Sequence, residues 1–307
     1  MYVLTMKYFL LTIKFLIPLT AFAFLAYQSQ GYIIDLHGKA SFIKPPLLIA
    51  SIFLLLPVFI MNAFGWHLIV RVFNHDISFS RSLNIWFYSS FTRYIPGVIW
   101  PYTTRIKLCT NLGINKYDTT SSMLLENCFL ASCSLCVSLP IIGVHLNSTI
   151  TLIFIVLGFS VLLYTKRILS LLSTFKINNE HIRNIIASFL KLESAHFINI
   201  WAFYCLLWLF FSIAFGLFCT SISNFETYEF LTLIQVAMCF PISFAVGFIA
   251  TITPGGIGIR EGTLFSLLIL FIDPQDAAVI SIASRLWLIF TEVIVGTMLY
   301  LANVLRK

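Results

Sequence analysis

The sequence predicts an all-α polytopic membrane protein of about 7–8 transmembrane helices, two segments of which are interrupted by Pro-Gly and turn back inside the membrane. Composition is the first observation. Of 307 residues, 59% are hydrophobic and 10% charged, against about 25% charged in soluble domains. The second is the recurrence of apolar runs of about 20 residues, the length that spans a hydrocarbon core about 30 Å thick. The third is that two apolar stretches are broken by proline and glycine with charged residues close by. A bilayer admits such backbone only where protein covers it or water reaches it. No stretch between the runs is long enough for a separate folded domain, so one membrane domain, 1–307, is expected.

Each element follows from its pattern. A first helix covers about 8–27. It has no A-x-A-like cleavage site and nearly full spanning length, which predicts a retained helix and not a signal peptide. A polar stretch with Gly31, Asp35, His37 and Gly38 precedes a helix over about 47–73. The segment 81–105 is apolar but carries Arg93 and Pro96-Gly97, so it suits a re-entrant or interfacial element better than a uniform span. Helices over about 120–139 and 149–164 follow, with Pro140 and Gly143 near their junction. Residues 166–199 are the most polar part. There Ile182, Ile185, Ile186 and Phe189 recur at helical spacing opposite Arg183 and Lys191, which predicts an amphipathic helix in the cytoplasmic headgroup plane. Helices over about 200–221 and 228–252 come next. The run 259–272 is short for a crossing, Asp273-Pro274-Gln275-Asp276 reads as a turn, and a last helix covers about 277–304.

Lysine and arginine set the orientation. They cluster in 71–118 and 166–196, two helices apart, which places both stretches and the amino terminus in the cytoplasm and the Glu226/Glu229 loop outside. Two counts fit the carboxyl end. Eight crossings leave Arg306-Lys307 cytoplasmic, as charge prefers; seven, with 252–272 re-entrant, suit the short run.

Several chemistries are excluded. The net charge of +7 is spread over the loops, as membrane orientation requires, and does not point to nucleic acid. Among the seven cysteines, Cys133 and Cys136 have redox-motif spacing without the strand–helix context of such a site; two small side chains on one helix face explain them. His67 and His145 stand singly, without metal-ligand spacing, and there is no phosphate loop or Ser/His/Asp set. No metal or cofactor is expected.

The chemistry therefore lies at the breaks. Thr251-Ile252-Thr253-Pro254-Gly255-Gly256-Ile257-Gly258-Ile259-Arg260-Glu261-Gly262 combines a lost amide donor, glycines that accept unusual backbone angles, and two charges within a helical turn. Ionisable residues at membrane depth are functional candidates; the competing reading is a cytoplasmic turn with Arg260 and Glu261 solvated. The earlier break, Arg93-Tyr94-Ile95-Pro96-Gly97 followed by Arg105, echoes it, and transporters place interrupted segments at matching points of two repeats. Arg93 and Arg105 also fit ordinary snorkelling at the cytoplasmic interface. Trp86, Trp100, Trp201, Trp208 and Trp287 read as interfacial anchors or packing.

These residues resemble a known family. Arg93-Tyr-Ile-Pro-Gly-Val-Ile-Trp100 with Arg105, Met123-Leu-Leu-Glu126, Pro254-Gly-Gly-Ile-Gly-Ile-Arg-Glu261 and Ser284-Arg285-Leu-Trp287 are similar, in order, to elements of the lysylphosphatidylglycerol synthase transmembrane region, the flippase-like superfamily. The chain departs from the family at Asn127, where arginine is frequent. The resemblance implies a multi-helix domain with two re-entrant segments, associated with moving lipids between leaflets. The soluble aminoacyl-transferase domain fused to it in some members is not encoded in these 307 residues, so no lysyl transfer is expected.

A headgroup crossing hydrocarbon needs a polar groove in place of water. The forked guanidinium of arginine suits phosphate, which makes Arg93, Arg105, Arg260 and Arg285 candidate contacts. Helix ends created at Pro96-Gly97 and, after Pro254, at Gly255, Gly256 and Gly258 add free amides for an anion. Trp100 completes the first element. Glu126, Glu261 and Glu292 are expected to pair with the arginines when no lipid is bound, Glu292 as an internal partner. The expected function is a non-enzymatic translocase for an anionic phospholipid or polyprenyl-linked glycolipid in a bacterial cytoplasmic (inner) membrane. The alternatives are a membrane enzyme with Glu126 or Glu261 as general base, or an accessory partner of a glycosyltransferase in surface-polysaccharide synthesis.

Overall fold

Pro45 and Pro46 open the first described helix, where the missing amide of proline costs nothing because the first-turn amides have no intrahelical partner. The computed structural model describes residues 44–94, 99–142, 149, 152, 156, 179–190, 195–222, 229–249, 256 and 258–305. The expected first helix, almost all of the helix over 149–164, Pro96, Gly97, Pro254, Gly255, Arg306 and Lys307 lie outside them.

Among the described residues the chain forms α1 (Pro45–Val72), α2 (Phe79–Phe91), a 3-10 turn (Thr92–Tyr94), α3 (Trp100–Thr110), α4 (Lys116–Ile142), α5 (Glu180–Leu190), α6 (Ala195–Ile222), α7 (Phe230–Ile249), α8 (Ile259–Leu268) and α9 (Pro274–Leu305). No strand occurs among them. Five, namely α1, α4, α6, α7 and α9, are long and apolar enough to cross a membrane. The protein is thus an all-helical, multi-pass membrane protein.

Three elements differ from the sequence reading. Asp273–Asp276 is not a separate turn: the amide of Ala277 donates to the Asp273 carbonyl at 2.9 Å, and α9 begins at Pro274 with Asp276 in its first turn. Proline at a first helical position and an acidic residue beside free amides both favour that start. The break after Arg93 is followed by a helix of its own, α3, which the apolar pattern did not announce because its sequence is mixed. Finally, α5 exists where the spacing placed an amphipathic helix, but its apolar face meets protein. Ile186 and Phe189 are buried, the Phe189 ring lies 6.4 Å from that of Phe73, and Ser121 of α4 donates to the Ile185 carbonyl at 3.3 Å. Ile182 alone of the four expected apolar residues is exposed.

The core is built on α1 against α6, with α4 lying across α6, α7 and α1, and α9 closing on α8, α1 and α6. Aromatic rings fill it. Phe211 stacks on Phe240 at 4.7 Å, and Phe218 stacks on Trp287 at 4.9 Å. In lipid such packing holds helices together through shape and dispersion, since burial away from water contributes little there. Glycine permits one very close approach: a β-carbon on Gly65 of α1 would lie 2.7 Å from the Tyr204 hydroxyl of α6. Buried indoles find partners across the core, Trp66 donating to Ser122 Oγ at 3.2 Å, Trp208 to the Leu130 carbonyl at 2.8 Å and Trp287 to Ser51 Oγ at 3.1 Å.

Candidate functional site: ion pairs at two helix breaks

The helices stop and restart twice at the expected places, ending at Tyr94 and Ile249 and resuming at Trp100 and Ile259. Both restarts carry charged side chains into the protein interior.

At the first break Arg105 of α3 is 5% exposed and Glu126 of α4 is 4% exposed. Arg105 does not snorkel. Its Nη1 donates to Glu126 Oε2 at 2.5 Å and its Nε to Ser89 Oγ at 2.9 Å. The other carboxylate oxygen of Glu126 accepts from the Trp86 indole at 2.7 Å. The guanidinium also lies 4.9 Å from the Trp66 ring and 5.9 Å from the Trp86 ring, within cation–π range. Four helices thus enclose one pair, and each carboxylate oxygen has a donor. Asn127, where the family pattern departs, donates to the Tyr102 hydroxyl at 3.3 Å and joins α4 to α3.

At the second break α8 begins under glycine control. Gly256 and Gly258 have φ of +68° and +84°, a region that side chains oppose. A β-carbon on Gly256 would also stand 2.8 Å from the Gly247 carbonyl of α7. Gly247 is itself needed, because a β-carbon there would meet Arg260 Cβ at 2.9 Å. Glu261, 2% exposed, turns back to accept the Gly258 amide at 2.7 Å. Glycine has no side chain to reciprocate, so this is one half of a capping box. A Glu261 oxygen also lies 3.6 Å from Arg285 Nη1 of α9. Arg260 is half-buried, its guanidinium 4.4 Å from the Phe240 ring and 5.4 Å from the Phe244 ring. Neither residue of the pair Arg260–Glu261 fits a solvated turn.

A third pair bridges the breaks. Arg93, in the 3-10 turn, donates its Nε to the Ser90 carbonyl at 2.9 Å and sets its Nη2 3.5 Å from Glu292 of α9. Glu292 is buried and the Arg93 side chain is 38% exposed. Arg285 and Glu292 do lie on one face of α9, two turns apart, yet each pairs with a different break and not with the other.

The expected residues therefore form two clusters, Arg105 with Glu126, and Gly256, Gly258, Arg260, Glu261 with Arg285, joined through Arg93 and Glu292. Trp100 is exposed at the start of α3. Sequence reasoning missed Ser89, Trp66 and Gly247, and gave Trp86 only an anchoring or packing role. Trp86 and Ser89 sit three apart on α2, so they share a helix face, and a buried indole needs an acceptor. Those signals were present, but they do not name the acceptor. Cys133 is a free thiol donating to the Trp201 carbonyl at 3.2 Å, in keeping with a packing role.

An all-helical membrane protein whose interrupted helices carry internally paired arginines and glutamates is the class that fold and site define. A family model for the lysylphosphatidylglycerol synthase TM region matches residues 12–296. The chain belongs to that family. No curated protein and no solved structure shows significant similarity to it.

Proposed function

We propose that this protein is a lipid translocase that passes an anionic headgroup, of a phospholipid or a polyprenyl-linked glycolipid, between leaflets without chemical change. The observation that carries this reading is the set of three Arg–Glu pairs at the two helix breaks, with all three carboxylates buried. A phosphate offers arginine the same forked acceptor geometry as a carboxylate. Each glutamate then acts as a resident anion that a headgroup replaces, so the arginines are never left unpaired at depth, where an uncompensated charge costs several kcal/mol.

In this reading 81–105 and 252–272 are re-entrant elements, the remaining apolar helices give 7–8 crossings, and the amino terminus is cytoplasmic in a bacterial inner membrane. The membrane domain works either alone or beside a glycosyltransferase. Membership of the family supports a membrane role; the ion pairs supply the headgroup chemistry.

The test is reconstitution. Purified protein in liposomes should move fluorescent phosphatidylglycerol between leaflets, with Arg285→Ala slower by about tenfold or more, the effect of about 1.4 kcal/mol on a barrier. Equal rates in protein-free and protein-containing vesicles would refute translocation. Product formed from lipid plus a cytosolic donor would point to the enzyme alternative, and activity confined to a co-purified glycosyltransferase complex to the accessory one.

A further inference from the structure

One face of α9 carries Arg285, Glu292, Gly296 and Asn303, at spacings of seven, four and seven residues that keep them within a narrow arc. Arg285 serves the second break. The other three meet α2 and the turn after it, in antiparallel register. Asn303 donates to Asn84 Oδ1 at 2.7 Å, with the reverse bond at 3.5 Å. The Phe91 ring packs into the space left by the absent side chain of Gly296. Arg93 meets Glu292.

This seam is unlike the other contacts of α9. Among the described residues that helix packs on α8, α1 and α6, and it meets α2 and the turn after it through these side chains. Two of the three contacts are polar, and their longer separations, 3.5 Å for Arg93–Glu292 and for one amide bond, exceed the 2.7–2.9 Å or so of short charge-assisted bonds. Outside the seam, Tyr88, Phe290 and Val293 present exposed apolar surface, which a bilayer would cover with lipid tails. Behind α2, on its opposite side, Trp86 and Ser89 hold Glu126 and Arg105.

We propose that the α2–α9 seam is the lateral opening through which an anionic lipid headgroup enters while its tails stay in the bilayer. The reading rests on the translocase proposal and adds its route. The Asn84–Asn303 and Arg93–Glu292 contacts are the latches. A phosphate competes with Glu292 for Arg93, and the apolar contact of the seam that has to be broken is the Phe91 ring on Gly296. Withdrawal of α2 from α9 also moves Trp86 and Ser89, and so loosens the hydrogen bonds that keep Arg105 and Glu126 closed. Entry at the seam and opening of the inner pair become one motion.

Cysteines placed by Asn84→Cys and Asn303→Cys, with the seven native cysteines replaced, test this directly. Spin labels on the pair should show one distance in phosphatidylcholine vesicles and a second, longer one in phosphatidylglycerol vesicles. A single distance in both overturns the seam as an entrance. Oxidising the pair to a disulfide should slow phosphatidylglycerol flipping by about tenfold, with recovery on reduction. Unchanged flipping in the cross-linked protein also overturns it. If the cysteine-replaced chain does not match the parent, Asn84→Asp with Asn303→Lys serves as an ionic lock. It should flip more slowly than either single variant, and equal rates count against the seam. A parent that flips no lipid refutes the translocase reading, and the distance measurement then judges the seam alone.

Discussion

The two breaks solve the same problem differently. At the first, Arg105 and Glu126 are 2.5 Å apart, Trp86 and Ser89 fix both partners, and two indole rings flank the guanidinium. At the second, Glu261 divides its carboxylate between a backbone amide at 2.7 Å and Arg285 at 3.6 Å. A buried pair whose hydrogen bonds are all made is stiff, and removal of either member leaves a stranded charge. A carboxylate held partly by its own helix can release its arginine and keep a partner. In the translocase reading the first break holds until α2 moves, whereas the second can exchange its partner in place.

That contrast can be broken by substitution. The largest effect is expected from Arg105→Ala, which strands Glu126 and should cost about 3–5 kcal/mol of stability, read as thermal unfolding in detergent. A loss no greater than that of Arg285→Ala would abolish the distinction. Next comes Gly256→Ala, which meets both an unfavourable φ and the Gly247 carbonyl; about 1–3 kcal/mol is expected, with Gly262→Ala, where a β-carbon meets open space, as the mild comparison. Trp86→Phe removes one hydrogen bond to a carboxylate and should cost about 1.5–3 kcal/mol. A smaller stability change is expected for Glu261→Gln, which keeps an acceptor for Gly258, together with a clear loss of headgroup exchange. Tyr204→Phe should be nearly neutral. Its hydroxyl is fully buried and has no hydrogen-bond partner among the described residues, so its removal leaves none of their groups unsatisfied. A large loss there would mean that the hydroxyl serves the nearby Arg105–Glu126 cluster.

The two regions also differ in how far the sequence discloses them. Glycines, a proline and two charges lie within twelve residues at the second break, and the local backbone follows from those residue types: positive φ at Gly256 and Gly258, then a helix whose third residue caps it. Long apolar runs likewise disclose α1, α4, α6, α7 and α9, since membrane length and helix period constrain them together. The first break is assembled from four separated elements, and nothing local says that Trp86 will reach Glu126 forty residues on. Pairing is a tertiary fact. The same gap holds for α5: periodicity shows which face is apolar but not what covers it. Pro96 and Pro254 lie outside the described residues, so the site is defined by the charges around them.

The most direct measurement is which lipid stays bound to the purified protein. Native mass spectrometry from mixed phosphatidylglycerol and phosphatidylcholine should show preferential retention of phosphatidylglycerol by the parent, weakened in Arg285→Ala and kept or strengthened in Glu261→Gln, where the resident anion is neutralised. Equal retention of the two lipids by the parent, or a preference indifferent to both substitutions, would contradict a headgroup site at the interrupted helices.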